Sequence, residues 1–288
     1  MKKYLNILNT IDPQKHIHAS NYILKFKNYQ KFNASEQQAL NHLLPEYLNF
    51  YKKNHEISGY GNAEIISRTT ALNTYFDFIS SNGYDNMFTA QSKFRPTIME
   101  EFMFILFNDL IKDVKIQIND TADLLKIGGT KAYTNLYFSA TNLKGFIDDP
   151  QIGVNQKDQD FAIYRPISIN IENSVNIKAN LPVVAIENKT YIDKTMLEGS
   201  IATAEKIKSG NPYSLFIIVT ETYDVDLNVD PAYSRIDQIY VLRKGKRKNN
   251  NNPIFSDVII DLAENIKSHL IRNWSDIEQK MTNLGKII

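Results

Sequence analysis

The feature that most constrains this chain is Val183-Val184-Ala185-Ile186-Glu187-Asn188-Lys189, an apolar run that passes directly into an acid and a base. A short, β-branched, uninterrupted apolar run predicts a strand covered on both faces, as in the centre of a sheet flanked by helices. Side chains alternate along a strand, so Glu187 and Lys189 fall on one face and Asn188 on the other. A carboxylate and an ammonium are therefore expected side by side at the end of a buried strand.

A second carboxylate arrives with Asp158-Gln159-Asp160, immediately before the predicted strand Phe161–Ile167. Asp160 lies 27 residues ahead of Glu187, a separation at which a hairpin can bring the two together. Two carboxylates and a backbone carbonyl, that of Asn188, form the hard oxygen set that magnesium takes. Phosphodiester hydrolysis needs such a set, because a cation must neutralise charge on the phosphoryl oxygens while an activated water attacks. Lys189 would orient or activate that water and stabilise the developing negative charge. The plainer reading makes Glu187 and Lys189 an ordinary ion pair and Asp160 a turn residue. The buried strand before Glu187, the strand after Asp160 and the helix after Lys189 weigh against it.

The surrounding pattern predicts an α/β fold, a mixed sheet flanked by helices with a helical N-terminal portion. Ser35 and Glu36 open a helical run through Leu40, Leu43, Leu44 and Leu48, and a second run carries Ile65, Ile66, Leu72, Phe76 and Ile79. Ser81-Asn82-Gly83 marks a turn, and Pro96 suits the first turn of an apolar helix over residues 98–111. Between Asn119 and Asp160, Gly128-Gly129, Gly145 and Asp149-Pro150 predict short strands and loops. Strands are expected over 181–192, 215–219 and 236–242, with a helix over 194–208 ended by Ser209-Gly210-Asn211-Pro212 and one or two helices from Phe255 to Met281. This divides the chain into a helical region, 1–92, and a catalytic domain, 93–288.

Candidates beyond the core trio are fewer. Glu100 and Glu101 follow Thr97; Thr97 and Glu100 have capping-box spacing, which favours Glu101 as the acid associated with the metal, directly or through a ligand, while the alternative is that both simply suit a helix N-terminus. Arg243-Lys244-Gly245-Lys246-Arg247-Lys248 can touch phosphates or form a solvated hairpin tip, and Lys131 sits among Tyr133, Asn135 and Tyr137 in a plausible base-reading surface. His16-Ile17-His18 is expected at the surface.

Composition adds exclusions. With no cysteine, thiol nucleophiles and thiolate zinc sites are absent, so any metal is held by oxygen or histidine. No apolar stretch approaches a bilayer's thickness, and Met1-Lys2-Lys3-Tyr4-Leu5 runs into polar residues, so a cytoplasmic protein is expected, with no membrane partner. The net charge of +1 means that any positive surface facing nucleic acid is local. Neither a nucleophile elbow nor a glycine-rich phosphate loop is present.

The segment 193–200, Asp-Lys-Thr-Met-Leu-Glu-Gly-Ser, directly after Glu187-Asn188-Lys189, resembles the catalytic region of the BbvCI and Bpu10I group of type II restriction endonucleases, in the PD-(D/E)XK nuclease superfamily. So do Ala204-Glu205-Lys206-Ile207-Lys208 and the later Asp230-Pro231-Ala232-Tyr233-Ser234-Arg235-Ile236-Asp237. The similarity spans roughly 95–245. It implies a magnesium-dependent endonuclease on double-stranded DNA, of a group built from two different subunits that each cut one strand of an asymmetric site related to CCTNAGC; a homodimer, or a heterodimer with a second endonuclease subunit, is expected. It departs from the superfamily pattern in having no Pro-Asp pair before the first catalytic strand, so Asp160 is assigned by position. The alternatives are a non-catalytic DNA-binding partner subunit and a repair or recombination nuclease on the same scaffold.

Overall fold

A computed structural model describes residues 2–85, 87–88, 94–170, 176–274 and 276–285. Five helices come first: α1 (Lys2–Leu8), α2 (Ile17–Lys27), α3 (Ala34–Glu56), α4 (Asn62–Ser81) and α5 (Phe94–Gln117). A five-stranded sheet follows, with β1 (Lys126–Ser139), β2 (Gln151–Ile169), β3 (Ile177–Ile192), β4 (Leu215–Tyr223) and β5 (Gln238–Val241) in that spatial order. Helix α6 (Leu143–Asp148) caps the β1–β2 hairpin, α7 (Lys194–Gly210) joins β3 to β4, and α8 (Ser256–Ile271) follows the sheet. The sheet is mixed: β1–β2 and β2–β3 are antiparallel, β3–β4 and β4–β5 parallel. The α/β class expected from the pattern is the fold observed.

Strand β3 is central because its neighbours differ in kind. On one side it pairs antiparallel with β2; on the other it meets β4 through the long crossover that parallel strands require, here α7. Both faces are covered. Val184 and Ile186 join a core that runs from Leu8 in α1 to Ile266 in α8, whereas Ala185 joins Leu197, Ala204 and Ile207 of α7, with Phe216 and Ile218 of β4. Helix α5 is apolar around much of its circumference because it lies between the sheet and the N-terminal helices, with Phe107 against Phe161 of β2 and further contacts to α2 and α3. The helical region and the sheet thus share one core; residues 89–93, where the expected boundary at 92/93 falls, lie outside the described residues.

The largest departure from the sequence reading lies between 119 and 160. Instead of short strands and loops there is one long hairpin, and Asp160 sits within β2 rather than before it. Gly128 and Gly129 interrupt periodicity without ending the strand. Gly128 takes φ +124°, a conformation that other residues rarely adopt, at a register shift between Gly128 and Thr130 that leaves β1 paired on either side. The hairpin also curls, so that Ala132 of β1 pairs with Asn180 of β3.

Helix starts differ for local reasons. Asn33, not Ser35, caps α3, in a reciprocal capping box with Glu36. In α5 the helix already begins at Phe94, so Thr97 does not act as a cap; its hydroxyl donates to the Phe94 carbonyl (2.8 Å) and lies 2.8 Å from His18 Nδ1. His16 and His18 are buried, not at the surface as expected: His18 lies among the Tyr22, Tyr47 and Phe94 rings, with Nε2 3.1 Å from the Tyr75 hydroxyl.

Glu101 is part of this buried cluster. Its Oε2 accepts hydrogen bonds from the backbone N–H groups of His18 (2.9 Å) and Ala19 (3.1 Å), and its Oε1 from the Tyr47 hydroxyl (2.8 Å). Those N–H groups belong to the first turn of α2, where no intrahelical acceptor exists, so a carboxylate from α5 caps another helix. Burial pushes the Glu101 carboxyl up to about 7, against the pull of the Tyr47, Ala19 and His18 hydrogen bonds. A carboxyl raised on folding stabilises the fold fully below its unfolded pKa, and that contribution is lost as pH rises through the folded value. Glu101→Gln removes the linkage. The unfolding free energy of the wild type minus that of Glu101→Gln is therefore expected to fall by on the order of 3 kcal/mol between pH 4.5 and 7, read by urea denaturation at both pH values.

Candidate active site

The β2–β3 ladder ends at the pair Phe161–Ile186. Past it, the Asn188 N–H donates to Asp160 Oδ2 at 3.0 Å, so an aspartate side chain makes the last link between the strands. Glu187 is on the same face as Asp160, the face that α7 covers. Its Oε2 accepts a hydrogen bond of 2.6 Å from the hydroxyl of Ser200, a buried residue of α7. Lys189, two residues on, places Nζ 3.5 Å from Glu187 Oε2 and 3.8 Å from Asp160 Oδ2. The structure thus brings Asp160, Glu187 and Lys189 into one cluster.

The plain ion-pair reading fits this cluster poorly. One lysine faces two carboxylates, leaving a net charge of −1, and pairs at 3.5–3.8 Å with a side chain 30% exposed contribute at most about 1 kcal/mol. Gathering two like charges works against that gain unless a further cation joins them. Among the described residues no group of three or more His, Cys, Asp or Glu side chains could hold a metal ion; the side-chain oxygens gathered here are those of Asp160 and Glu187. The set is hard and oxygen-only, and its small size suits an ion that keeps several of its waters. The residues present therefore fit a hard divalent cation. The Asn188 side chain is on the opposite face, buried, with both amide atoms lacking hydrogen-bond partners; its backbone N–H, not its amide, meets the cluster, at Asp160.

Two sequence candidates are placed elsewhere. Glu101 is fully buried beneath α2 and α3, with both oxygens engaged, and is not brought to the Asp160–Glu187–Lys189 cluster. Arg243 is no free cation: its guanidinium donates to Glu221 Oε2 (2.8 Å) and to the Asn252 carbonyl, over the Phe76 ring. Arg95 grips the other side of Glu221, with Nε 3.0 Å from Oε1 and Nη2 2.8 Å from Oε2, and also pairs with Asp85. Burial pushes the Glu221 carboxyl up, but the hydrogen bonds and charges of the two arginines prevail and hold it below the usual range.

The rest of the basic loop is differently placed. Lys244 pairs with Asp257 and lies over the Phe255 ring, whereas Lys246 is exposed. The Arg247 N–H donates to Asp224 Oδ1 (2.7 Å), the Tyr223 N–H donates to the Gly245 carbonyl (3.0 Å), and the Arg247 guanidinium is 4.3 Å from the Tyr191 ring centre. Tyr191 shares a strand face with Glu187 and Lys189, so the loop is tied down at the edge of the cluster. Lys131 is exposed on β1, opposite Asp158.

Ser200, Tyr191 and Asp224 were not anticipated. Ser200 had a signal: Leu197, Ser200, Ala204 and Ile207 form one helical stripe, and a hydroxyl within a buried stripe needs a polar partner on the strand beneath.

The cluster sits on the mixed sheet of an α/β domain, and comparison with known proteins gives its class. Residues 91–254 match the model of the Bpu10I restriction endonuclease family, which covers more than half of the chain. The chain belongs to that family, whose members are nucleases acting on DNA. Among solved structures, one described as the native BbvCI A2B2 tetramer at low resolution has the same fold, with a TM-score of 0.63 over 90% of this chain and 99% of that one, at 22% identity. No curated protein sequence matches significantly. Among the described residues no helix is long and apolar enough to cross a membrane.

Glu221 is buried between two part-buried guanidinium groups, and Glu221→Ala removes the carboxylate they share, leaving Arg95 with Asp85 and Arg243 with the Asn252 carbonyl. That change is expected to lower stability by about 3–5 kcal/mol in urea denaturation.

Proposed function

We propose that this protein is a subunit of a type II restriction endonuclease that hydrolyses phosphodiester bonds of double-stranded DNA at a specific site, related to CCTNAGC, in a magnesium-dependent reaction. The observation that carries the reading is the convergence of Asp160, Glu187 and Lys189 where β2 and β3 part. Membership of a restriction endonuclease family supports it.

Asp160, Glu187 and the Asn188 carbonyl would hold the ion. Magnesium, when bound, would neutralise charge on the phosphoryl oxygens and acidify a water. The Lys189 ammonium faces both carboxylates, where it can hold the attacking water by hydrogen bonding and offset negative charge on the phosphorane-like transition state. The Asn188 N–H fixes Asp160, and the buried strand fixes the spacing of Glu187 and Lys189, so these groups need little reorganisation on substrate binding.

DNA would lie across this edge, with Lys246 and Arg247 on phosphates beside the cut and Lys131 as a further contact. The N-terminal helices, 1–92, would buttress α5 and the sheet. The BbvCI neighbour is an A2B2 tetramer, which supports assembly with further subunits, as a homodimer or with a second endonuclease chain.

Lys189→Ala is expected to abolish cleavage while DNA binding survives, read by a gel assay of cleavage beside a filter-binding isotherm; loss of both together would contradict the assigned role. Lys246→Ala and Arg247→Ala should each lower the slope of log K against log salt by about 0.9. Arg243→Ala should lose stability and leave that slope unchanged.

A further inference from the structure

The notable atom outside the trio is the Ser200 hydroxyl. A serine within a helix commonly turns its hydroxyl back to the carbonyl four residues earlier, as Thr203 does one turn away, with Oγ1 bonded to the Gly199 carbonyl at 3.0 Å. Ser200 instead directs its hydroxyl across to the sheet, 2.6 Å from Glu187 Oε2. It is 1% exposed, so water does not replace this bond. Glu187 Oε2 is also the oxygen facing Lys189, and among the described residues no hydrogen bond reaches Oε1.

We propose that Ser200 is a positioning residue: its hydroxyl holds one oxygen of Glu187, so that the other is presented, unshared, to a divalent cation. This rests on reading Asp160, Glu187 and Lys189 as a magnesium-dependent centre. The physical reason is rotational. A glutamate has three side-chain torsions, and at 8% exposure Glu187 has few solvent contacts to select among them. A donor fixed on α7 selects one, and α7 is itself fixed, through Leu197, Ala204 and Ile207, on the face of β3 that carries Glu187. Ligands oriented from a second layer in this way bind metal more tightly because less order is lost on binding. The hydroxyl has no structural advantage for the helix, since alanine has the higher helix propensity.

The test compares the wild type, Ser200→Ala and Ser200→Thr, each checked by thermal unfolding. Manganese binding to the protein without DNA is followed by electron paramagnetic resonance, and the magnesium concentration giving half-maximal cleavage is measured separately. Ser200→Ala is expected to weaken manganese binding and to raise the half-saturating magnesium about tenfold or more, with the rate at saturating magnesium little changed. Ser200→Thr, which keeps a hydroxyl, is expected to recover affinity. A Ser200→Ala protein that binds manganese as the wild type does, with the same magnesium requirement, would overturn the proposal while leaving the nuclease reading intact. A wild type that neither binds manganese nor cleaves would overturn both.

Discussion

The site depends on one interruption: the antiparallel ladder between β2 and β3 stops at Phe161–Ile186, and the next link across the gap is Asp160 accepting from the Asn188 N–H. A strand pair that continued would engage its polar groups with each other. A pair that parted with nothing between would leave an N–H unpartnered beside a buried carboxylate, at a cost of about 1–3 kcal/mol. The aspartate resolves both. It closes the backbone account with one oxygen and remains available with the other, and it does so beside Glu187 and Lys189.

That arrangement holds its geometry because β3 is clamped from two faces. Val184 and Ile186 sit in the core shared with the N-terminal helices, Ala185 in the core under α7, and Glu187 emerges where the second core gives way to Ser200. Polar groups buried elsewhere serve the same rigidity. Glu221 between Arg95 and Arg243 ties the start of α5 to the segment after β5, and Glu101 ties α5 to α2. The helical region thus bears on the strand that carries Glu187 and Lys189 through α5.

Much of this was legible in the amino-acid sequence. The apolar run into Glu187-Asn188-Lys189 marked the central strand, its buried faces and the shared side of Glu187 and Lys189, because strand period is a strong local signal. The β1–β2 hairpin was not legible: Gly128-Gly129 looks like a break, and only pairing with β2 shows that it is a bulge. The same limit applies to charge. Arg243 and Lys246 are alike in a basic run, and only the approach of Glu221, 22 residues earlier, distinguishes a buried ion pair from a solvent-facing cation. Glu101 looked catalytic because Thr97 accounted for Glu100 and left Glu101 without an evident partner in the sequence; that its partners are N–H groups 82 and 83 residues away follows from helix packing, which has no local signature.

The most direct measurement is incubation of the purified chain with supercoiled plasmid, in magnesium and in chelator, resolved on a gel. The account predicts magnesium-dependent cutting, as discrete fragments if the chain acts on both strands or as nicked circles if it supplies one half of a two-subunit enzyme. Plasmid left intact in magnesium, by a folded chain that also fails to bind DNA, would contradict it.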